Sequence, residues 1–223
     1  FGDYDFETPY ALDLELINNH LQRLVAGEEV KIPFYDFKSG HRLAEQTPMK
    51  LNEGELILID SLHGLFPALT SAIPDESKFK LYLEPLLQMK GEDGEYIRWT
   101  DIRLIRRMLR DATHRAYDPR QTLEHWHYVR SSEMRNIIPN NIFADFIINS
   151  GMPFELNIYS RRMGAQFKEW QQLYRGNPLR TDAYERANRV ARFLEWILPV
   201  NEDHLIPTDS VIREFIGGSS LKY

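Results

Sequence analysis

Apolar positions recur along this chain in two rhythms. Over residues 11–27, Leu14, Ile17, Leu21, Leu24 and Val25 return at steps of three and four, which predicts an amphipathic helix that Gly27 is placed to end. The same rhythm predicts helices over 100–113 (Ile102, Ile105, Met108, Leu109, Ala112), over 119–130 with Pro119 in the first turn, and over 181–198 (Ala187, Val190, Phe193, Leu194, Ile197) up to Pro199. A last short helix is expected over 209–216, with Asp209 or Ser210 as its cap and Gly217-Gly218 as its stop. Shorter apolar runs predict strands. Residues 30–35 read as an edge strand because of Pro33, and 79–83 as a second. The run 143–148 is a further candidate, and 155–159 a weaker one. Glu55-Leu-Ile-Leu-Ile-Asp60 is nearly all apolar and ends in an acid, as a buried parallel strand does when its C-terminal tip lies at a site.

Strands alternating with helices predict an α/β domain whose mostly parallel sheet is flanked by helices. It is expected to occupy 1–168, with a helical C-terminal extension over 169–223. The 223 residues suffice for one sizeable core. With 43% hydrophobic and 27% charged residues the composition is that of a globular protein, and no apolar run is long enough to span a membrane. The formal charge of −6 argues against a protein that coats nucleic acid. The absence of cysteine excludes disulfides, a thiolate nucleophile and cysteine-ligated zinc, and suits a reducing, cytoplasmic compartment. Phe1 to Glu7 has neither the basic flank nor the apolar core of a signal peptide, and Phe1 is no initiator, so the chain reads as a piece of something longer.

The densest chemical signal is Asp101-Ile-Arg-Leu-Ile-Arg-Arg-Met-Leu-Arg-Asp111, with Arg115 four residues on and Arg120 beyond. Arg103, Arg107 and Arg110 share one helix face. Guanidinium groups bind phosphate in planar, bidentate fashion, so a row of them suits a polyphosphate. A solvated face paired with acids is the competing reading, although only Asp101, Asp111 and Asp118 lie nearby in the sequence. Arginine-mediated RNA binding would bring interleaved aromatics, which this segment lacks. His63 near Asp60 is more in keeping with a packing histidine than a metal ligand. In Glu124-His-Trp-His127 the two histidines are two residues apart, the wrong spacing for chelation on a helix.

That arginine segment resembles the lid of the uridine kinase and phosphoribulokinase family. Tyr4-Asp-Phe-Glu-Thr-Pro-Tyr-Ala-Leu-Asp13 is similar to the family's nucleoside-side loop, and Ile32-Pro-Phe-Tyr-Asp-Phe-Lys-Ser-Gly-His-Arg42 to its pyrimidine-binding hairpin. Leu58-Ile-Asp-Ser-Leu-His-Gly-Leu65 resembles the strand tip usually written with Glu-Gly. The tail from Ile206 to Ser219 is similar to the C-terminal extension of a bacterial branch that often carries an N-terminal TGS domain. The resemblance covers almost the whole chain. It implies a P-loop fold and phosphoryl transfer from ATP to a nucleoside or related sugar alcohol, with Mg²⁺ as cofactor. It leaves a homo-oligomer open.

By the same resemblance, Arg107, Arg110 and Arg115 reach the phosphates, and Asp60 holds Mg²⁺ directly or through water. Glu7, or Asp5 if the loop is longer, orients the ribose hydroxyls. Tyr35 and Phe37 wall the base pocket, and His41 and His125 face the base. Several positions depart from the family pattern: Gly40 stands where a base-reading histidine is usual, Tyr117 replaces a lid arginine, His125 replaces a glutamine, and Asp60-Ser61 replaces Glu-Gly. A pocket stripped of hydrogen-bonding partners for a uracil edge is expected to discriminate poorly for uracil. The 223 residues contain no G-x-x-x-x-G-K-S/T. In the family that loop lies upstream, with the first strand and the acceptor-side base. These residues alone are therefore expected not to turn over, and without that strand two sheet edges are expected to be unpaired.

Overall fold

The computed structural model describes residues 7–36, 40–92, 94–114 and 117–221, with no account of the side chains at 44 and 45. In chain order its elements are α1 (Leu14–Val25), β1 (Glu29–Asp36), β2 (His41–Lys50), β3 (Leu81–Glu84) and α2 (Trp99–His114). There follow α3 (Pro119–Ser132), β4 (Phe146–Asn149), α4 (Glu155–Tyr174), α5 (Thr181–Glu195) and α6 (Arg213–Ile216). β3 and β4 form a small parallel sheet: Asp145 N–H bonds to Lys80 O, and Ser150 N–H to Glu84 O, so the registers advance together. The architecture is α/β, with a helical C-terminal part.

The chain divides into two compact units. One comprises residues 1–82 and 131–146 and the other residues 83–130 and 147–223. In the first, Asp13 caps α1 by accepting the Leu16 N–H at 3.1 Å, and Leu21 and Leu24 are buried. Asn18 anchors α1 by donating to Ala68 O and accepting the Ala72 N–H. β1 and β2 make an antiparallel hairpin whose register shifts between Pro33 and Tyr35. At its turn Gly40 has φ +70°, a left-handed conformation that costs glycine nothing. α3 leads into a π-helical turn over Glu133–Ile137 in this unit.

The strand expected over 55–60 does not form. This segment has no regular structure and no ladder partner among the described residues, and Leu56 and Leu58 are 93% and 91% exposed. An apolar run reads as a strand only if neighbours are there to pair and cover it, and here none does.

The second unit holds the larger core. Ile102, Leu104, Ile105 and Met108 of α2 are fully buried with Leu123, Tyr159, Phe167, Val190 and Leu194. α4 and α5 run antiparallel, as three polar ties show: Asn157 to Leu198 O, Ser160 to Leu194 O, and Gln171 to Asn188. The weak strand expected over 155–159 is instead the first turn of α4, which continues through residue 168 to Tyr174. Leu156, Tyr159, Met163, Phe167, Trp170 and Tyr174 are all buried at steps of three and four, so the local alternation was part of a longer helical period. α5 ends at Glu195, three residues short of the expected end, because residues leading into Pro199 are pushed out of helical geometry. The last helix is shorter than expected. It starts at Arg213, whose N–H bonds to Ser210 O.

These exposures set opposite responses to truncation. Leu56→Ala or Leu58→Ala should change stability by less than about 0.5 kcal/mol, while Ile105→Ala should cost about 2–5 kcal/mol. Denaturant midpoints check this; a loss above about 2 kcal/mol at Leu56 would mean that another surface covers the 55–60 segment.

Candidate functional site

α2 carries the arginine row, and its burial pattern sorts the arginines. With the apolar positions turned inward, Arg106 goes in with them and is 9% exposed. Its Nε donates to Glu155 Oε2 at 2.8 Å and its Nη2 to Glu155 Oε1 at 3.0 Å. Nη1 and Nη2 also reach Ser150, at Oγ and at the carbonyl oxygen, and the guanidinium sits 5.1 Å from the Phe215 ring centre. Glu155 is completed by the Tyr159 hydroxyl at 2.7 Å and the Met152 N–H at 2.9 Å. This is a saturated bidentate pair.

The outer face differs. Arg103 Nη1 lies 3.4 Å from Glu84 Oε1, and Arg107 Nε lies 3.4 Å from Asp111 Oδ2. Arg110 Nη1 lies 3.5 Å from Glu214 Oε1, and its Nε 3.9 Å from Asp111 Oδ1. The Arg110 Nε is buried, and among the described residues no hydrogen-bonding group accepts it, so no short bond there fixes this guanidinium. Arg107 and Arg110 keep 31% and 36% of their side-chain surface exposed. Arg115 lies outside the described residues.

The acids that meet the row are mostly not its sequence neighbours. Asp101 is taken by Arg189 in a bidentate pair at 2.7 and 2.8 Å. Asp118 accepts the Arg120 N–H at 2.8 Å at the start of α3. Glu84, Glu155 and Glu214 come instead from β3, α4 and α6. Sequence reading found the row and missed these three, because long-range pairing leaves no trace in local spacing.

The remaining expected residues are described within their own units. In the second, His125 is exposed on α3, its ring 6.4 Å from that of Tyr128. In the first, Glu7 is half-buried and its carbonyl accepts the Ser132 hydroxyl at 2.7 Å. Tyr35 pairs with Arg42 in the hairpin and Asp36 with His41. Tyr35 and His41 therefore stand on opposite faces, so they cannot line one wall together. Phe37 and Asp5 lie outside the described residues. Asp60 is exposed, and among the described residues it forms no hydrogen bond or ion pair. The turn after it is held by Ser61, whose Oγ accepts the His63 N–H, while His63 is buried. No group of three His, Asp or Glu side chains among the described residues could hold a metal. One uncommitted carboxylate still suits Mg²⁺, which takes one or two carboxylates and fills its other positions with water and phosphate.

The profile of the phosphoribulokinase/uridine kinase family matches residues 2–156. This chain belongs to that family. A uridine kinase of Deinococcus deserti is 25% identical to it over 148 residues, 66% of this chain and 63% of that protein. Uridine kinase-like proteins 5 and 3 of Arabidopsis thaliana are each 27% identical over 150 residues, 67% of this chain and 28% of their own length. The chain thus spans less than two thirds of these curated relatives. The matched region takes in α2 and the hairpin and ends at the start of α4, so the extension from there to the C-terminus lies beyond the family profile. Among the described residues no helix is long and apolar enough to cross a membrane.

Within this family member the buried pair has its own electrostatics. Burial pushes the Tyr159 hydroxyl well above its ordinary value, and the Glu155 charge beside it pushes the same way. For Arg106 burial works against the charge, but Glu155 more than offsets it and the guanidinium is held more strongly protonated. A tyrosine whose folded pKa is raised binds its proton more tightly folded than unfolded. Its contribution is present below the unfolded value near 10 and is lost as pH rises through the folded value. Between about pH 9 and about pH 11 the wild type should therefore lose stability faster than Tyr159→Phe, read as the change in urea midpoint. Removing one partner of the pair, as in Glu155→Gln, should cost about 3–5 kcal/mol, whereas Arg110→Gln should cost at most about 1 kcal/mol.

Proposed function

We propose that this chain forms part of an ATP-dependent kinase acting on a nucleoside or a related sugar alcohol. The supporting observation is the split of the α2 row. Arg106 is saturated by Glu155 and Ser150 and serves the fold, while Arg110, its side chain 36% exposed, has no ion pair shorter than 3.5 Å among the described residues. A cation held this loosely can turn to an anionic ligand at little cost. Arg107, Arg110 and Arg115 would meet the ATP phosphates, and Asp60 would hold Mg²⁺, whose charge offsets that of the phosphates. Glu7 or Asp5 would orient the acceptor hydroxyl. Tyr35 and Phe37 would flank the base, with His125 reading its edge. The γ-phosphoryl group would pass in line from the β-phosphate oxygen of ATP, which leaves as ADP, to the acceptor hydroxyl, whose proton would go to a general base supplied from outside these residues. With no G-x-x-x-x-G-K-S/T in residues 1–223, turnover would draw that loop from outside them.

A second reading is a catalytically silent kinase-fold module that binds a nucleotide or a protein, favoured by the carboxylate that stands near each outer arginine. A phosphoryl-transfer screen of the full-length protein against nucleosides and sugar phosphates separates the two. Formation of a phosphate ester supports the kinase, and product from no acceptor supports the silent module. Where transfer is found, Arg107→Gln and Arg110→Gln should each lower kcat by about a hundredfold, with the loss at Arg110→Gln accompanied by no more than about 1 kcal/mol of lost stability. Unchanged kcat in both would remove the row from the mechanism.

A further inference from the structure

The C-terminal segment brings a carboxylate to the outer arginine row and fastens it there. Arg213, 9% exposed, donates to Asp203 O at 2.7 Å and Ile206 O at 2.6 Å, closing the tail on itself. Two further bonds tie α6 to the end of α2: Thr113 Oγ1 donates to Phe215 O at 3.2 Å, and the His114 Nε2 lies 2.8 Å from Glu214 O. Ile212, Phe215 and Ile216 are buried, and Phe215 receives the Arg106 guanidinium. At Gly217, φ is +82° and a Cβ would lie 3.2 Å from Thr113 Cγ2, so the chain turns away where a side chain would obstruct it. The backbone of Glu214 is thus clamped on both sides, and its side chain stands 3.5 Å from Arg110 at 31% exposure.

We infer that Glu214 is a built-in counter-charge to Arg110 that weakens the affinity of the α2 row for polyphosphate. This rests on the row meeting phosphates and goes beyond it, because it assigns a positioning role to the extension outside the family profile. A clamped carboxylate cannot diffuse off when an anion arrives. It stays to compete for the guanidinium, so a ligand with one negative charge gains little there, while a triphosphate contacting several arginines at once prevails. The same competition favours release of a ligand after it has lost a phosphoryl group.

The test is calorimetric binding of inorganic tripolyphosphate to the full chain, as wild type, Glu214→Gln, Arg110→Gln and the double variant. Glu214→Gln should tighten binding about threefold to fivefold, and Arg110→Gln should weaken it. The double variant should bind no more tightly than Arg110→Gln alone, since the carboxylate acts through that arginine. Glu214→Asp, which draws the charge back by one methylene, should shift affinity in the same direction by a smaller factor, and it serves if Glu214→Gln does not fold. Equal tightening in the presence and absence of Arg110 overturns the pairing. Unchanged affinity in Glu214→Gln beside weakened binding in Arg110→Gln overturns the counter-charge and leaves the polyphosphate role of the row intact. If Arg110→Gln leaves binding unchanged, that role of Arg110 and the inference fail together.

Discussion

The Arg106–Glu155 pair is the constraint on which the second unit turns. It joins the middle of α2 to the first turn of α4, takes in the turn after β4 through Ser150, and supports Phe215 from the tail. A buried guanidinium is tolerable only if its hydrogen bonds are nearly all met, and here two side chains and a carbonyl meet them. Together with the buried Ile102, Ile105 and Met108, this interaction fixes the rotation of α2 about its axis. Positions 103 and 110 lie one turn from Arg106 on the same side of the helix, so the row borders the buried stripe rather than opposing it.

The extension beyond the family profile thereby acquires a physical role. Its α6 supplies the ring beneath Arg106 and the carboxylate beside Arg110, while Glu155, the partner of Arg106, lies at the end of the matched region. The matched region ends at residue 156, so α2 takes its buried partner from within that region and part of its outer charge balance from beyond it.

Much of this was legible from spacing. α1, α2, α3 and α5 appear within a few residues of their expected bounds because each carries an apolar stripe of three or more turns. The failures fall where a short window was asked to decide. Residues 155–159 alternate, but the steps from Leu156 to Tyr174 belong to a helix that only a twenty-residue view reveals. Residues 55–60 have the composition of a buried strand, yet composition cannot supply a ladder partner, and Leu56 and Leu58 face solvent. In the site, the arginines were readable and their partners were not. Asp101 is adjacent in sequence yet committed to Arg189 across 88 positions, while Glu214 is 104 residues from Arg110 and within 3.5 Å of it. The hairpin shows a subtler limit: Tyr35 and His41 lie close in sequence and in the ladder, but pairing with Arg42 and Asp36 puts them on opposite faces.

Carboxylates near the outer arginines do not by themselves argue against a phosphate ligand, because the cost of opening a pair depends on burial. A half-exposed ion pair is worth at most about 1 kcal/mol, since water screens it and solvates both partners once separated. Breaking a pair as enclosed as Arg106–Glu155 costs about 3–5 kcal/mol. A triphosphate offers each guanidinium a charge-assisted, bidentate contact worth about 1.5–3 kcal/mol, which exceeds the first cost and falls short of the second. An anion can therefore draw Arg110 from Glu214 without disturbing Arg106, whereas Arg107 faces Asp111, whose side chain is only 5% exposed. Solvent exposure, rather than residue type, decides which arginines of α2 belong to the fold and which remain available for chemistry.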